Sequence, residues 1–443
     1  MNIKLYRTAK GTNERIKQVE SLKLEKSFST KTPMIILNPD KTYQTHIGFG
    51  GAFTESAAYT LSLLPKEKQD EIIHAYFSKD GLDYNLGRTH IHSCDFALKN
   101  YTYVEENDKE LKTFDISHED QWVVPMIKKA LAYVPDLKLL ASPWSPPAWM
   151  KTNKNMNFGG SLLPEFYQPW ASYYVKYFEE MKKRDIHFWA LTVQNEPAAV
   201  QTWDSCIYSA EEERDFVKNY LGPTIEKSPF DIKILGWDHN RDIIVERAST
   251  MLLDPEASKY MWGIASHWYV SEQFENLSIV HELFPDKHLV FTEGCIEGGP
   301  KPLEWHTGER YARNIIGDLN NHLEGWIDWN LILNEEGGPN HVKNYCDAPI
   351  LVDRRSQSII YNSSYFYIGH FSKFIRPEAK RIHAQSNLPA KVYQTSYMNL
   401  NGEIVVVLQN ESDANQDVTI VLNKEGQTIN MLSHSIVTMV ITK

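Results

Sequence analysis

The run Phe188-Trp189-Ala190-Leu191-Thr192-Val193-Gln194-Asn195-Glu196-Pro197 decides how this chain is read. Its apolar, β-prone first half predicts a fully buried strand, which stops abruptly at an amide, a carboxylate and a proline. Pro197 cannot donate to a sheet ladder, so it ends the strand and holds Glu196 where the chain turns into a loop. A second run, His288-Leu289-Val290-Phe291-Thr292-Glu293, has the same shape and is followed by Gly294 and Cys295. Two buried strands, each delivering a glutamate at its carboxyl end, are what a two-carboxylate hydrolase needs.

Working outward from that pair, short apolar runs alternate with amphipathic segments from Ile47 onward. The predicted strands are Ile47–Phe53, Leu86–Cys94, Leu137–Ser145, Phe188–Glu196, Ile232–Asp238, Trp262–Tyr269, Leu289–Glu293 and Gly325–Leu331. Helices are predicted over Pro65–Phe77, Glu119–Tyr133, Trp170–Lys183 and Ser209–Tyr220. The third carries Trp170, Tyr174, Phe178 and Met181 at helical spacing, and the fourth opens with Ser209 and Glu212 as a capping box. Eight strand-then-helix units predict a (β/α)8 TIM barrel, an α/β fold whose active site lies at the carboxyl ends of its strands. Glu196 then ends the fourth strand and Glu293 the seventh.

Both chain ends follow a different rhythm. Leu22–Phe28 and Met34–Leu37 read as short strands. After a last helix around Asn362–Phe374, the alternating runs Lys391–Tyr397 and Glu403–Leu408 flank the hairpin signal Asn399-Leu400-Asn401-Gly402. The expected organisation is a barrel over residues 45–375 and a smaller β-sandwich domain built from residues 1–44 and 376–443.

A chain of 443 residues, 42% hydrophobic and 23% charged, can bury a large core. Its net charge of −11 argues against nucleic acid and anionic membranes as partners, and no apolar run approaches a membrane span. Neutral substrates suit this balance. The 12 Trp and 23 Tyr include candidates for flat faces against pyranose rings, although large cores absorb aromatics too. Cys94, Cys206, Cys295 and Cys346 lack metal spacing and are expected to be free thiols. Met1 is followed by a charged segment without an apolar core, which predicts a cytoplasmic protein.

Individual candidates carry competing readings. Asp95, after the second strand, either caps a loop or accepts hydrogen bonds from sugar hydroxyls. Trp144, in Ala141-Ser142-Pro143-Trp144-Ser145-Pro146-Pro147, is either core or a pocket wall. Of Trp326 and Trp329, which flank Asp328, one is expected in the core and the other as a sugar platform. Glu335 and Glu336 read as solvated loop residues. His90 and His92, two apart on one strand and so on one face, combine with His267 into an imaginable metal site, the mark of a metal-dependent amidohydrolase. An Asn-Glu pair at the end of strand four, with no lysine or histidine there, argues against that reading. A catalytically silent carbohydrate-binding barrel is the alternative outside enzymology, and retention of both glutamates argues against it.

The chain resembles glycoside hydrolase family 30, nearest its glucosylceramidase and β-glucosidase branch. The motifs that carry this are Gly48-Phe49-Gly50-Gly51-Ala52-Phe53-Thr54-Glu55, Ala141-Ser142-Pro143-Trp144, Asn195-Glu196-Pro197, His267-Trp268-Tyr269, Thr292-Glu293-Gly294-Cys295, Trp326-Ile327-Asp328-Trp329-Asn330, Gly337-Gly338-Pro339-Asn340 and Gly369-His370-Phe371-Ser372-Lys373-Phe374. The resemblance implies a retaining glycosidase acting on terminal β-glucosides, with β-xylosidase, β-fucosidase and β-1,6-glucanase as alternatives within the family. It implies Glu196 as acid/base and Glu293 as nucleophile. It also implies Asp95, Trp144, Asn195, Tyr269, Trp329 and Asn344 as substrate-binding positions, with Asn195 reaching the sugar 2-hydroxyl. Arg88 and His267 support the site from behind, and Tyr269 stands near the nucleophile. No metal or organic cofactor enters this scheme. The segments after Tyr269 and after Glu293, which shape a lipid-facing mouth in the lysosomal branch, are shorter here. Burial and the neighbouring negative charge predict a raised pKa for Glu196.

Overall fold

The computed structural model describes residues 1–443. Eight parallel strands close into a barrel: β1 (Gly48–Ala52), β2 (Leu86–Ile91), β3 (Lys138–Pro143), β4 (Phe188–Thr192), β5 (Lys233–Asn240), β6 (Met261–His267), β7 (His288–Glu293) and β8 (Gly325–Asn330). Closure is the pairing of β8 with β1, in register Gly325 to Gly48 and Trp326 to Phe49. Each predicted barrel strand is present.

The apolar runs are continuous because these strands are covered on both faces. Inside, a single layer takes Leu86, Leu140, Ala190, Leu235, Ala265, Val290 and Ile327 from seven strands, with Ile47 packing against it from just before β1. Outside, helices bury their apolar stripes in a far larger cluster. Trp170, Tyr174, Phe178 and Met181 all face inward from the helix Tyr167–Lys182. Gly50 must be glycine, since a Cβ there would lie 2.0 Å from the Leu86 carbonyl oxygen.

The helix predicted from Ser209 opens as expected. Ser209 Oγ accepts from the Glu212 amide, and Glu212 returns the bond to the Ser209 amide. After Ala210–Phe216 the turns widen to a π-helical segment, Val217–Leu221. The segment predicted as one helix over 119–133 is a short 3-10 turn, Ser117–Gln121, followed by an α-helix, Val123–Leu131.

The second domain is a β-sandwich built from both chain ends. Its nine strands form one continuous ladder in which Asn2–Ala9 pairs antiparallel along its whole length with Ser435–Thr442. Met34–Thr45 lies between Lys380–Ser386 and Gln416–Leu422. Backbone bonds between Glu25 and Gly426 bring the ladder's two ends together. The strand expected at Leu22–Phe28 is instead Lys17–Lys23, in register with the first strand. Val392–Met398 and Ile404–Asn410 form the predicted hairpin, with Gly402 at φ +82° in its turn. A separate core that includes Ile3, Leu5, Val406, Leu408, Val437 and Met439 fills this domain. No helix is long and apolar enough to cross a membrane.

Candidate active site

The carboxyl ends of the barrel strands open into a cavity of about 420 Å³. Asp95, Trp144, Asn195, Glu196, Tyr269, Glu293, Trp329 and Asn344 all line it. Arg88 and His267 lie directly behind that wall. Trp144 and Trp329 stack with ring centroids 5.2 Å apart, while Trp326 is the core member of its pair, its indole donating to Asp318.

Arg88 organises the floor. It rises from β2 with no exposed surface, and all five of its N–H groups have acceptors. Nε donates to Ser142 Oγ at 3.1 Å, Nη1 to the Thr292 carbonyl at 3.2 Å and to Glu293 Oε2 at 2.5 Å, and Nη2 to Asn195 Oδ1 at 3.0 Å and Asp238 Oδ2 at 2.8 Å. The rigid guanidinium fork thus fixes the nucleophile candidate and the amide of Asn195 relative to one another. Because Arg88 takes Asn195 Oδ1, the amide NH2 is the group left for a ligand. Tyr269 Oη completes the second oxygen of Glu293, donating to Oε1 at 2.8 Å.

Glu196 is held differently. It adopts φ +48°, a left-handed conformation that costs a non-glycine residue roughly 1–2 kcal/mol. Its amide bonds to the Asp238 carbonyl at 3.1 Å, so the strained turn is locked to β5. Its Oε1 lies 3.2 Å from His267 Nδ1 and 3.9 Å from His239 Nε2, and Gln201 Nε2 is 3.5 Å from Oε2. One oxygen each of Glu196 and Glu293, with a nitrogen of His267, fall within 4.8 Å of one another. So close an approach fits the ~5–5.5 Å carboxyl separation of retaining glycosidases better than the ~6.5–9.5 Å that leaves room for an inverting enzyme's water.

The model of the glycosyl hydrolase family 30 TIM-barrel domain matches residues 47–375, and that of the family's beta sandwich domain matches 378–439. The chain belongs to glycosyl hydrolase family 30. It is 39% identical over 409 residues to putative glucosylceramidase 4 of Caenorhabditis elegans, covering 87% of this chain and 78% of that one. It is 36% identical over 406 residues to the lysosomal acid glucosylceramidase of Mus musculus, covering 87% and 79%. Among solved structures, SrfJ from Salmonella typhimurium superposes with a TM-score of 0.95 at 33% identity, over the whole of both chains. The endo-β1,6-glucanase BT3312 follows at 0.91 and 29%, covering 100% of this chain and 99% of that one. The chain is therefore a glycoside hydrolase, and its substrate is a glycoside.

As a family 30 site, the cavity rests on residues the sequence reading passed over. Asp238 is the chief of them. It is fully buried and accepts four bonds, from Arg88, Thr192 Oγ1, Thr292 Oγ1 and His267 Nε2, at 2.6–2.9 Å. Burial disfavours its charge, but Arg88 and His267 outweigh that and hold it well below the usual carboxylate range. The available signal was positional, because Asp238 ends its predicted strand just as Glu196 and Glu293 end theirs. Burial likewise opposes a charge on His267, yet the carboxylates of Glu293 and Asp238 prevail and raise it to about 9. His267 is thus a cation between two acids.

At the far side of the cavity Asp95 Oδ2 accepts from Asn340 Nδ2 and Asn344 Nδ2, each at 3.1 Å. Asn340 is a second residue the sequence reading missed. Burial lifts Asp95 to about 7.

Two expectations need correction. Burial and a neighbouring anion predicted a raised Glu196, and burial does push it up. The imidazoles of His239 and His267, which only the fold brings beside it, override this and hold it below the usual range. Burial and the charge of Glu196 instead push Glu293 up, against His267 and Arg88. The imagined histidine metal site also fails. β2 ends at Ile91, and His92 turns to φ +47°, so the two histidines do not share a strand face. His90 accepts from the Glu55 amide and bonds the His92 carbonyl, while His92 bonds Tyr173 Oη and the Ser145 carbonyl. No ring nitrogen remains for a metal. The cluster Glu196, His267 and Glu293 suits a metal no better, because the cations of His267 and Arg88 already occupy its electrostatic role. Glu335 pairs with Arg354 at 2.8 Å, and Glu336 is exposed, as the loop composition suggested.

Proposed function

We propose that the protein is a retaining β-glucosidase that cleaves terminal β-D-glucosides by double displacement, with Glu293 as nucleophile and Glu196 as acid/base. The observation that carries this is the approach of the two carboxylates within 4.8 Å at the mouth of the barrel. Glu293 attacks the anomeric carbon as a carboxylate, oriented by Arg88 and Tyr269. When its charge is consumed in the glycosyl ester, Arg88 keeps Asp238 as a counterion, so the floor stays neutralised through the cycle.

Glu196 donates its proton to the departing oxygen. At neutral pH burial keeps His239 from charging, so the lowering pull on Glu196 falls to His267 alone. Sugar binding expels water, deepens the burial of Glu196 and favours its protonated form. Once Glu293 is esterified its negative charge is gone, Glu196 releases the proton more easily, and as a carboxylate it activates the incoming water.

The glucosylceramidases among the relatives support glucose as the sugar. Asp95, held by two amides, is suited to bind the outer hydroxyls. Glucosylceramide, as the relatives' names suggest, is one candidate natural substrate. The reading is tested with aryl β-glucoside, xyloside, galactoside and fucoside, where kcat/KM is expected to be highest for the glucoside. An equal or higher value on the xyloside would overturn the assignment of the sugar. The likeness to an endo-β1,6-glucanase favours a second reading, which predicts oligosaccharides rather than glucose as the first products from a β-1,6-glucan.

A further inference from the structure

Three loops of the barrel mouth converge on a buried carboxylate that the proposed mechanism does not use. Asp204 lies in the loop after β4. Its Oδ1 accepts from Ser93 Oγ at 2.6 Å and Asn100 Nδ2 at 2.9 Å, both in the loop after β2. Its Oδ2 pairs with His341 Nε2 at 2.9 Å, from the segment after β8. Neither Asp204 nor His341 lines the cavity. Burial opposes both charges. The bond and charge of Asp204, helped by Asp95, nevertheless raise His341, and His341 with Ser93 holds Asp204 below the usual carboxylate range. The two form an ion pair set behind the wall.

His341 is tied at both ends. While its ring reaches Asp204, its amide donates to the Asp95 carbonyl at 3.2 Å. Around it in sequence stand Asn340 and Asn344, whose amides both donate to Asp95 Oδ2. Asn340 closes this stretch on itself. Its Oδ1 accepts from the amides of Val342 and Asn344 at 3.1 and 2.9 Å, and its Nδ2 donates to the Asn344 carbonyl at 3.2 Å. A turn so closed moves as a unit, and His341 is a charged anchor between that unit and the loop after β4. Because both amides fall on Oδ2, Oδ1 is the Asp95 oxygen left for a hydroxyl.

We propose that His341 and Asp204 are positioning residues for the sugar site. Their ion pair holds the Asn340–Asn344 turn where both amides meet Asp95, and so keeps Asp95 Oδ1 in place for the hydroxyls of the bound sugar. Their role presupposes Asp95 as the sugar-binding residue of the reading above.

The experiment measures kcat and KM on 4-nitrophenyl β-glucoside and the competitive inhibition constant of D-glucose. In His341→Ala, KM and the glucose constant are expected to rise roughly tenfold while kcat changes little, as when binding common to ground and transition states is lost. His341→Gln, whose amide can still donate to Asp204, should recover part of that loss. Asp204→Asn removes the charge and keeps the shape. It should raise the same two constants, and it decides the matter if His341→Ala does not fold. In an Asp95→Asn background, His341→Ala should add no more than about twofold, because it acts through Asp95. A residue that served stability alone would lower the yield of folded enzyme and leave KM and the glucose constant where they are. Unchanged constants in the soluble variants, or effects of His341→Ala and Asp95→Asn that multiply in full, overturn the proposal. A glucose constant unmoved by Asp95→Asn alone overturns the sugar-binding role of Asp95 and the proposal with it. A wild type inactive on the nitrophenyl glucoside overturns the β-glucosidase reading on which both stand.

Discussion

The two carboxylates stand in one cavity but are held to different standards. Glu293 is gripped at both oxygens, by Arg88 at 2.5 Å and Tyr269 at 2.8 Å. Glu196 has its nearest partner at 3.2 Å and two more donors at 3.5 and 3.9 Å. In the proposed mechanism Glu293 must point at one carbon, which suits a fixed rotamer. Glu196, proposed to give a proton and later take one, needs slack and a tunable charge. The contrast teaches that preorganisation is concentrated where geometry limits the reaction and relaxed where protons move.

The largest effect should come from breaking the tight half at its centre. Glu293→Gly removes the covalent path, and turnover should fall for every leaving group by something on the order of 10⁶-fold, the scale seen when a hydrolase loses its nucleophile. Azide should then enter the vacated space and give an α-glycosyl azide, read by proton NMR.

Breaking the loose half should cost less and depend on the substrate. Glu196→Ala should lose roughly 10²–10⁴-fold on unactivated glucosides, keep glycosylation by dinitrophenyl glucoside, and yield a β-glycosyl azide. The opposite pattern of anomers would exchange the two roles.

Arg88→Met tests whether the grip is also structural. It leaves Asp238 and Glu293 buried without their shared cation, so the free energy of unfolding in denaturant should drop by about 3–5 kcal/mol. A drop below ~1 kcal/mol would mean that the floor relaxes on its own.

The smallest effect sharpens the comparison. As a cation in acid, His239 favours the ionised form of Glu196. In His239→Ala the acid should keep its proton to higher pH, so the basic limb of the kcat/KM profile should move upward. His267, Asp238 and Glu293 also face Glu196 and stay in place, which confines the change to one imidazole. Movement of the limb to lower pH would remove His239 from the tuning of the acid.

Much of this was legible in the sequence, and the residues show why. The barrel strands, buried on both faces, read as unbroken apolar runs, and a glutamate at the end of such a run stands out. Asp238 did not, although it ends the predicted fifth strand, because its importance comes from Arg88 and His267 on other strands. The lowered pKa of Glu196 was equally hidden, since His239 and His267 reach it across the barrel mouth from β5 and β6. His92 was misplaced for a local reason. Its positive φ turns the chain at the strand end and breaks the every-second-residue rule by which side chains are assigned to a face.

The pairing of Asn2–Ala9 with Ser435–Thr442 sets an order on how the protein is made. The first strand can pair at once with Lys17–Lys23 on one edge, but the partner of its other edge is among the last segments to be translated. The barrel has its own interior layer, and in the cluster around it only Tyr397, Val405, Val407 and Ile436 come from sandwich strands. It can therefore consolidate while the N-terminal strands wait. During that wait the edges left free on the N-terminal strands are open to mispairing. Early termination anywhere before Ser435 leaves them in that condition for good.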